Sequence, residues 1–360
     1  MKAAVFREPN VAMEIEEVQI SKPGPREVLV KTLASGICHS DMHMFNGTYP
    51  SQRPTILGHE SAGVVEQVGS DVNYVQPGDH VITCLSVFCG HCEYCLTGHM
   101  SLCRSTETQR AKDEEARLSQ DGETINQFAN LSGFAEMMLV HEHAVVKIRD
   151  DMPLDRAALI GCGVTTGFGA AIHTAGVKPG TTVAVIGCGG IGLSTINGAA
   201  IAGAAQIIAI DTVASKLDLA RKFGATDGIN AKETDPIEAV REMTSGGVHY
   251  SFEAIGLKTT AEQAFKMLRR GGTATIIGMI PPGDMVEIHG PEFLQEKRIQ
   301  GSAMGSNRFR VDMPRYVDFY LAGKLHLDDL VSKRLTLAEV NQGMADLETG
   351  ELARSVMIMD

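Results

Sequence analysis

The chain has 360 residues, of which 44% are hydrophobic and 21% charged, and its formal net charge at pH 7 is -12. Its length predicts two domains, its acidity disfavours non-specific binding to nucleic acid, and we find no apolar stretch approaching the roughly 20 residues that span a bilayer. The N-terminal segment is interrupted by Arg7, Glu8 and Pro9, so we do not expect a signal peptide. We therefore expect a cytoplasmic protein, in which clustered cysteines bind metal more often than they form disulfides.

The first 150 residues are predicted to be rich in β-strands. Short runs with β-branched residues and alternating polarity mark the strands, namely EVLVKTLASGIC, SAGVVEQVG, HVITCL and FAEMMLVHEHAVVKI. Residues 104–127 are polar and almost free of large apolar side chains. That segment is predicted to be a surface loop or a short exposed helix.

From about residue 163, strands and helices are predicted to alternate. The strand runs are TTVAVIG, QIIAID, YSFEAIG and TATIIGM, and the helical runs are GLSTINGAAIAGA, ASKLDLARKFGA and TAEQAFKMLRRGG. Such alternation predicts a parallel sheet with right-handed crossovers. After about residue 304 the chain is predicted to form a helix, MPRYVDFYLAG, and a final strand, ARSVMIM.

Four of the eight cysteines form one compact cluster, with the spacing C-x₂-C-x₂-C-x₇-C: Cys89, Cys92, Cys95 and Cys103. Four thiolates complete a tetrahedral zinc shell and leave no position for a substrate. An iron–sulfur cluster is the chemical alternative, but its fourth cysteine usually follows a wider or proline-capped spacing. The cluster therefore predicts a structural zinc site, in which the interleaved His91 and His99 have no ligand role.

A glycine-rich turn follows the strand TTVAVIG and opens the next helix. Gly187 permits a tight turn, Gly189 allows the backbone to approach a pyrophosphate, and Gly192 allows the helix to pack closely on the strand. Gly190 and Ile191 lie inside this loop, where the helix N-terminus presents free N–H groups to phosphates. The alternative is a purely structural strand–turn–helix, but the position of the motif favours a dinucleotide site.

An acidic residue supports the dinucleotide hypothesis. Asp211 ends the strand QIIAID at about the distance from the glycine loop expected of the ribose-binding carboxylate. A carboxylate there accepts hydrogen bonds from both ribose hydroxyls and repels a 2′-phosphate, which favours NAD(H) over NADP(H). Lys216, one turn into the following helix, could reach the ribose or the adenine edge.

Two further cysteines and a histidine are scattered along the chain. Cys38 and Cys162 each lie in a turn flanked by glycine, and His59 follows Gly58 directly. Two thiolates and one imidazole leave the fourth position of a zinc ion open to water or substrate. Each residue alone would more often be a core or surface residue, so the metal hypothesis depends on their joint context.

That context is a resemblance to a known family. From Cys38 onward the chain resembles the zinc-dependent alcohol dehydrogenases of the medium-chain dehydrogenase/reductase superfamily. The matching motifs follow the family's order, and they are GICHSDMH, GHE-x-x-G-x-x-x-x-x-G-x-x-V, PGDHV, the cysteine cluster, LIGCGVTTGFGA, the glycine loop with its acid, and ARSVMI.

The resemblance implies an α/β protein of two domains. Residues 1–162 and 304–360 would form a β-rich, GroES-like catalytic domain with a structural-zinc lobe at about 84–110. Residues 163–303 would form a Rossmann domain, a doubly wound parallel sheet that binds NAD. The implied activity is reversible hydride transfer between an alcohol and its aldehyde or ketone, with two zinc ions per chain. The implied assembly is a homodimer or homotetramer joined through the coenzyme-binding sheet, around residues 285–303.

The resemblance also assigns roles near the catalytic metal. It implies that Cys38, His59 and Cys162 are the zinc ligands. Glu60 would lie behind the metal, and its alternative role is to pair with a buried cation such as Arg354. Asp41 would accept a hydrogen bond from His59 and fix its tautomer.

A proton relay is implied as well, because a proton must leave the alcohol in a dry site. Ser40 would accept it, and the path would continue through a nicotinamide ribose hydroxyl to His43, whose ordinary pKa suits the task. The alternatives are a turn hydroxyl for Ser40 and a surface histidine for His43. His39 stands where many relatives have an arginine facing the pyrophosphate, and Arg354 would be the firmer phosphate contact.

The remaining expectations concern the nicotinamide and the substrate. Thr166 would touch the nicotinamide, and the backbone around Met279 and Ile280 would meet it. By position, the substrate pocket would be lined by three apolar residues, Leu85, Phe128 and Ala303. Leu85 replaces a common aromatic residue and indicates a roomier pocket, so we expect a primary alkyl or aromatic alcohol.

Several alternatives stay open. Polyol or threonine dehydrogenases of the same superfamily often use a glutamate as a ligand, whereas this chain has Cys162. A glutathione-dependent formaldehyde dehydrogenase needs cationic and polar groups for the glutathione carboxylates. A non-catalytic dinucleotide-binding relative is disfavoured by the intact set Cys38, His59 and Cys162. A zinc-ribbon nucleic-acid binder is disfavoured by the acidic charge and the lack of a basic, aromatic face.

Overall fold

The computed structural model describes residues 1–111, 113–350 and 352–359. The chain forms two compact units: unit 1 comprises Met1–Cys162 and Arg308–Asp360, and unit 2 comprises Gly163–Asn307. Residues 304–307, which we expected in the first domain, therefore belong to unit 2. The function assigned to each domain stays a prediction.

The helices and strands follow in chain order. The N-terminal part of unit 1 contains β1 Lys2–Phe6, β2 Glu14–Glu17, β3 Gln19–Ile20, β4 Glu27–Ile37, α1 His39–Phe45, β5 Thr55–Ile56, β6 Glu60–Val68, β7 His80–Thr83, α2 Glu93–Leu96, β8 Leu118–Gln120, β9 Glu123–Thr124, β10 Asn126–Gln127, β11 Met137–His141, β12 Val145–Lys147 and α3 Leu154–Leu159. Unit 2 contains α4 Thr165–Gly169, β13 Thr182–Ile186, α5 Gly190–Ile201, β14 Gln206–Asp211, α6 Ala214–Lys222, β15 Asp227–Asn230, α7 Pro236–Met243, β16 Val248–Glu253, α8 Lys258–Lys266, β17 Leu268–Ile276 and β18 Arg298–Gly301. Unit 1 then resumes with α9 Phe309–Leu321, β19 Val331–Leu335, α10 Val340–Thr349 and β20 Arg354–Ile358.

Short helical segments of other types complete this list. The 3₁₀ segments are Met100–Leu102, Phe128–Asn130, Glu142–Ala144, Gly290–Gln295, Met304–Ser306 and Leu337–Glu339, and the π-helical segments are Ile160–Val164 and Ala170–Thr174.

Unit 1 is organised around the long strand β4. One edge of β4 pairs with β6 in antiparallel fashion. The other edge pairs first with β11 and then, from Ala34 to Ile37, with β20 near the C-terminus. The resulting sheet has the order β12-β7-β6-β4-β20-β19, and a second sheet has the order β10-β5-β1-β2. The sheet around β4 is therefore completed by β20, and no local sequence pattern predicts the pairing of these two strands.

The polar segment 104–127 contains more structure than we predicted. It includes β8, β9 and β10, of which β8 pairs with β3 and β10 with β5. Apolar positions at Leu118 and Ile125 are buried and anchor these short strands in the core. The prediction of a loop or exposed helix was wrong for residues 118–127. Two buried apolar residues among polar ones are too few to show the alternating pattern of a strand.

Unit 2 contains the predicted parallel sheet. Its order is β15-β14-β13-β16-β17-β18, and the described pairs are all parallel. This order runs outward in two directions from β13 and β16, as in a doubly wound fold, and ligands bind at the carboxyl ends of the strands where the order reverses. The predicted fold class is confirmed.

One predicted helix is shorter than expected. The run TAEQAFKMLRRGG was predicted as helical throughout, but α8 ends at Lys266 and β17 begins at Leu268. Ala261, Ala264 and Phe265 form the buried face of α8. The two arginines that look helical in sequence are exposed residues at the start of β17.

The helical run Leu154–Thr174 corrects another expectation. It has 21 residues and contains an 18-residue window with a mean hydropathy of 1.3, so by length and composition alone it is long and apolar enough to cross a membrane. Sequence inspection missed it because its glycines, alanines and threonines give no conspicuous apolar block. The apolar window is 83% buried within the protein, as in the core helix of a folded domain.

Candidate active site

The loops at the end of β4 and the start of β6 bring together the scattered cysteines and histidine. The ligand atoms of Cys38, His59 and Cys162 lie within 4.8 Å of one another, and all three residues are buried. Cys38 follows β4 and precedes α1, His59 precedes β6, and Cys162 lies in a π-helical segment. Such π-helical turns within helices are frequent at functional sites.

Asp41 fixes the local backbone around this cluster. One carboxylate oxygen accepts a hydrogen bond from the Cys38 N–H at 3.1 Å, and the other accepts one from the Gly58 N–H at 3.0 Å. Gly58 has a φ of +89°, and a Cβ there would lie 2.6 Å from the backbone nitrogen of Phe134. Only glycine therefore fits the turn that precedes His59.

His59 is oriented by the same carboxylate. Its Nδ1 lies 3.1 Å from Asp41 Oδ1, which fixes the tautomer with the proton on Nδ1. Its Nε2 is buried and makes no hydrogen bond of ordinary geometry with any residue that the structure describes. A buried acceptor facing two thiol sulfurs is the environment of a metal ligand, so the three residues fit the zinc that their chemistry suggests.

The electrostatics also favour a cation. A hydrogen bond from Cys162 lowers the pKa of Cys38 well below its usual range despite burial, and the charge of Arg354 acts in the same direction. Although burial opposes a charged imidazole, the Asp41 carboxylate raises the pKa of His59 well above its usual value. A thiolate and a histidine that favours positive charge indicate a negative environment, in which a divalent ion would replace the histidine proton.

Glu60 and Arg354 form a buried ion pair beside the cluster. Their Oε2 and Nε atoms are 3.6 Å apart, and the side chains are 0% and 4% exposed. An Arg354 Nη2 atom also lies 4.0 Å from Cys38 Sγ. The structure thus contains the alternative partner considered for Glu60, while the phosphate contact of Arg354 stays a prediction.

The predicted relay residues lie on helix α1. Ser40 Oγ is 4.0 Å from Cys38 Sγ. His43, three residues further on, lies on the same helical face and is half-buried. Burial lowers the pKa of His43, with the charge of Cys38 opposing the shift. His39, at the start of α1, is exposed.

The predicted pocket residues have different surroundings. The Phe128 ring lies edge-on to His59, with a centroid distance of 5.3 Å. Leu85 is half-buried and packs at the margin of a valine-rich core cluster in unit 1. Ala303 is an exposed residue of unit 2, directly before a 3₁₀ segment.

The four cysteines of the compact cluster also converge. Their sulfur atoms lie within 4.8 Å of one another, and the Cys92 and Cys95 sulfurs are 3.5 Å apart. A hydrogen bond from the backbone at His91 lowers the pKa of Cys89 to about 6, whereas burial raises that of Cys95 to about 12.

The two interleaved histidines have other partners. His91 Nε2 lies 2.6 Å from a carboxylate oxygen of Glu107, and His99 Nδ1 lies 3.0 Å from the hydroxyl oxygen of Thr97. The four-sulfur set is therefore complete without them, which suits a closed tetrahedral zinc site.

The glycine loop of unit 2 has the geometry of a phosphate cradle. Gly187 has a φ of +90°, and a Cβ on Gly192 would lie 1.7 Å from the Gly187 carbonyl oxygen, so the helix packs directly on the turn. A Cβ on Gly189 would meet nothing within 4 Å. There is open space above Gly189, and Gly190 and Ile191 begin helix α5 beside it. An anion there would meet the N-terminus of the helix.

Asp211 lies next to this loop at the end of β14. Its Oδ2 accepts a hydrogen bond from the Cys188 N–H at 2.7 Å, and its Oδ1 accepts from Thr212 and Val213 at 2.7 and 3.0 Å. The carboxylate is thus held against the glycine loop, as a ribose-binding acid would be. Lys216 is half-buried on α6.

The other predicted coenzyme residues of unit 2 occupy two places. Thr166 is buried on α4, with its hydroxyl 3.2 Å from the sulfur of Met304. Met279 and Ile280 follow β17, and the backbone of Met279 lies against Gly256.

Sequence analysis missed Glu253, which ends β16 beside these residues. An acidic residue closing a buried strand was the available signal.

Comparison with known proteins shows the family. Residues 24–150 match the alcohol dehydrogenase GroES-like domain, and residues 190–321 match the zinc-binding dehydrogenase family. The class-3 alcohol dehydrogenase of Zea mays is 38% identical over 99% of this chain and 96% of its own length. The S-(hydroxymethyl)glutathione dehydrogenase of Saccharomyces cerevisiae is 37% identical over 99% of this chain and 96% of its own length.

Similar solved structures belong to the same family as these sequence relatives. The benzyl alcohol dehydrogenase of Acinetobacter calcoaceticus superposes with a TM-score of 0.94 at 32% identity, covering 100% of this chain and 99% of its own. A zinc-binding dehydrogenase of Sinorhizobium meliloti 1021 bound to NADP gives a TM-score of 0.84 at 30% identity, covering 99% and 98%. The chain belongs to the zinc-dependent alcohol dehydrogenases of the medium-chain dehydrogenase/reductase superfamily, which confirms the resemblance read from its motifs. It is therefore an oxidoreductase that acts on CH–OH groups with zinc and a nicotinamide coenzyme.

Proposed function

We propose that this protein is an NAD(H)-linked alcohol dehydrogenase that interconverts a primary alkyl or aromatic alcohol and its aldehyde. The observation that carries the proposal is the buried set of Cys38, His59 and Cys162, whose ligand atoms lie within 4.8 Å of one another. Three protein ligands leave one position of a tetrahedral zinc open, as catalytic zinc sites do.

In this proposal Cys38, His59 and Cys162 hold the catalytic zinc. When bound, zinc supplies Lewis acidity toward an alcohol oxygen. Asp41 contributes by holding the Nδ1 proton of His59, so that Nε2 faces the two sulfurs. Arg354 places a positive charge 4.0 Å from Cys38 Sγ, and Glu60 pairs with that guanidinium.

Proton removal is assigned to helix α1. Ser40, beside Cys38, accepts the alcohol proton, and His43, on the same face of the helix, passes it to solvent. Because its pKa is lowered by burial, His43 is largely neutral at pH 7 and has the free nitrogen that a proton acceptor requires. Phe128, edge-on to His59, supplies an apolar wall suited to an alkyl or aromatic substrate.

The coenzyme is proposed to bind unit 2. Gly187, Gly189 and Gly192 would cradle the pyrophosphate, and Asp211 would accept hydrogen bonds from the ribose hydroxyls. When bound, the nicotinamide accepts or returns hydride. Thr166 and the turn of Met279 and Ile280 would position the nicotinamide, with His39 and Arg354 toward its phosphates.

The preference for NAD is tested by Asp211→Gly. Loss of the carboxylate should weaken NAD(H) binding by about tenfold and should relax the rejection of NADP(H), because no negative charge then repels the 2′-phosphate. Dissociation constants for NADH and NADPH, measured by fluorescence titration, provide the readout, with Asp218→Gly at an exposed position of α6 as the control. An unchanged NADH/NADPH ratio would refute the assignment of Asp211.

The substrate class is tested by rates with simple primary alcohols, benzyl alcohol, polyols, and formaldehyde with and without glutathione. We expect the highest kcat/KM with a primary alkyl or aromatic alcohol. A second candidate function is glutathione-dependent formaldehyde oxidation, which is favoured by the 37% identity to the yeast S-(hydroxymethyl)glutathione dehydrogenase. Activity that requires glutathione would select that candidate.

Metal content and assembly complete the proposal. We expect two zinc ions per chain, one in each sulfur-containing site, with loss of activity when the ion at Cys38, His59 and Cys162 is removed. A single zinc per chain would contradict this arrangement. We also propose a homodimer or homotetramer in the cytoplasm, formed near strand β18, where Phe293 and Leu294 are 49% and 89% exposed. Light scattering gives the oligomeric state.

A further inference from the structure

Glu253 is a buried acid at the carboxyl edge of the parallel sheet. It ends β16 in register with Ile186 of β13 on one side and Ile276 of β17 on the other. The side chain is 0% exposed. Strands β13 and β16 are the pair at which the sheet order reverses, so Glu253 lies at the base of the crevice where such sheets bind ligands.

One oxygen of Glu253 organises the turn that follows β16. Oε1 accepts hydrogen bonds from the N–H groups of Ile255 at 2.9 Å and Gly256 at 2.7 Å, and from the Thr260 hydroxyl at 2.8 Å. The backbone carbonyl of Glu253 accepts from Ile277 at 2.9 Å and from Gly278 at 3.1 Å. Glu253 is thereby hydrogen-bonded both to the turn after β16 and to the turn after β17.

These turns touch both parts of the proposed coenzyme site. A Cβ on Gly187, in the glycine loop, would lie 2.6 Å from Ile255 Cγ1. A Cβ on Gly256, whose φ is +97°, would lie 2.7 Å from the Met279 carbonyl oxygen. The segment held by Glu253 is thus in contact with the glycine loop on one side and with the turn containing Met279 on the other. Ile255 itself is 46% exposed.

The second oxygen of Glu253 indicates that packing alone does not explain this residue. Oε2 is buried, and no residue that the structure describes donates a hydrogen bond to it. It lies 2.6 Å from where a Cβ on Gly278 would stand, so glycine at that position makes room for it. Burying such an oxygen costs free energy that an apolar side chain of similar volume would avoid.

We propose that Glu253 is a positioning residue for the coenzyme: its carboxylate holds the Ile255–Gly256 turn so that Ile255 forms one wall of the crevice against the glycine loop. This inference rests on the function proposed above, because it takes the glycine loop to be the coenzyme site. Glu253 acts through Ile255 and the backbone of the turn.

Two substitutions at Glu253 test the inference. E253A removes the acceptor for three donors and should weaken NADH binding by about ten- to a hundredfold. E253Q keeps an oxygen where the three donors converge, so its affinity should stay within about threefold of the parent protein. In both variants the KM for NAD should follow the NADH dissociation constant, while kcat at saturating coenzyme and zinc content change little.

A third substitution keeps the test independent of folding. Ile255→Ala truncates a half-exposed side chain, so it should leave the fold intact, and loss of one wall of the crevice should weaken NADH binding by about threefold to tenfold. A matched surface truncation, Leu257→Ala, where the side chain is 48% exposed, should not change NADH affinity.

The outcomes separate this inference from the function on which it rests. If the parent protein binds neither NADH nor NADPH, the proposed function fails and the inference fails with it. If the parent protein binds NADH and folded E253A binds it equally well, only the inference fails. Equal weakening in E253A and E253Q, or an unchanged affinity in Ile255→Ala, would also overturn the positioning role.

Discussion

At the scale of single residues, hydrogen bonds accepted by one carboxylate determine the geometry around Cys38. Asp41 accepts from the backbone N–H groups of Cys38 and Gly58 as well as from His59 Nδ1. Two predicted metal ligands are thereby positioned by a residue that lies beside them in sequence or in space. Shifts in its position would move both ligands together, which is how outer residues affect metal affinity.

His43 gives a prediction about pH. Because burial lowers its pKa below the ordinary value, His43 can accept a proton at pH 7 but loses that capacity as the pH falls through its pKa. His43→Gln should reduce the rate of alcohol oxidation at pH 7 by about tenfold. The rate should recover partly at high pH, where solvent base takes the proton directly. The measurement is kcat for alcohol oxidation between pH 6 and pH 10 with saturating coenzyme.

A matched variant controls for the loss of a histidine. His91→Gln removes an exposed imidazole that contacts Glu107 on the cysteine lobe, and it should leave the pH profile unchanged. A rate loss in His43→Gln that is equal at every pH would contradict the relay.

Residue-scale prediction from sequence had clear strengths and gaps. Cys38, His59 and Cys162 were singled out by residue type, glycine context and the resemblance to a known family, and the structure places their ligand atoms together. Glu253 was missed because its importance depends on three donors that only the turn after β16 brings together. Local sequence shows which side chains can bind a metal or accept a hydrogen bond. It does not show which donor and which acceptor the fold brings together.

At the scale of elements, the cysteine lobe has almost no core. Helix α2 and the 3₁₀ segment Met100–Leu102 contain no buried residues. Tyr94 and Leu96 are 48% and 74% exposed. A metal bound by the four sulfurs would replace the missing hydrophobic core, as in small zinc-stabilised domains.

Cys95→Ser tests this role. The variant should contain one zinc fewer per chain, and trypsin should cleave near Arg104 faster, because the lobe loses its main constraint. Inductively coupled plasma mass spectrometry and limited proteolysis provide the measurements. Cys84→Ser is the control: this buried cysteine lies outside the cluster, and its loss should leave the zinc count at the parent value. A Cys95→Ser protein with full zinc and unchanged cleavage would show that the lobe does not depend on the metal.

Helices α4 and α5 form a second informative pair of elements. They pack through glycines: a Cβ on Gly167 would lie 2.2 Å from the Ile191 carbonyl oxygen and 2.9 Å from Ser194 Cβ. Gly198, on the facing helix, approaches the backbone of Phe168. There is no space for a methyl group between these helices without moving backbone.

Gly167→Ala should therefore destabilise the protein by about 1–3 kcal/mol, the usual cost of overpacking a dense core. Urea unfolding followed by circular dichroism measures the change in the free energy of unfolding. Gly228→Ala, where a Cβ would have no neighbour closer than 3.5 Å, should change it by less than about 0.5 kcal/mol. Equal stability of the two variants would refute the close packing inferred for α4 and α5.

At the scale of the whole molecule, alternation of strands and helices was enough to predict the parallel sheet of unit 2. The β-rich unit was harder, because β20 completes its sheet by pairing with β4, a strand that lies hundreds of residues earlier. Such pairings leave no local signature. The helical run Leu154–Thr174 was also misjudged, since small residues hide its apolar character.

Acid sensitivity is a property of the whole fold that follows from buried histidine. Burial and the charges of His143 and Arg26 lower the pKa of His141 to about 3, against about 6.5 in an unfolded chain. Between these values the unfolded chain binds one more proton than the native protein. The free energy of unfolding should therefore fall as pH decreases from about 6.5, by up to about 1.4 kcal/mol per pH unit from this group.

His141→Asn should flatten that slope, even if it lowers stability at pH 7. Urea unfolding at pH 7, 6, 5 and 4.5 measures the slope, and His289→Asn at an exposed position should leave it unchanged. Identical slopes in His141→Asn and the parent protein would show that His141 does not contribute to acid unfolding.

The position of β20 has a consequence for biosynthesis. A ribosome releases the chain from the N-terminus, so the continuous unit Gly163–Asn307 emerges whole before β20 has been made. Until then β4 has an unpaired edge from Ala34 to Ile37, and Glu60 lacks the guanidinium of Arg354 that it faces at 3.6 Å. Open strand edges invite association with other chains, and a buried acid without its partner is costly. The nascent protein is therefore most exposed to aggregation before β20 has been synthesised, and the surroundings of Cys38 are completed only when this strand has emerged.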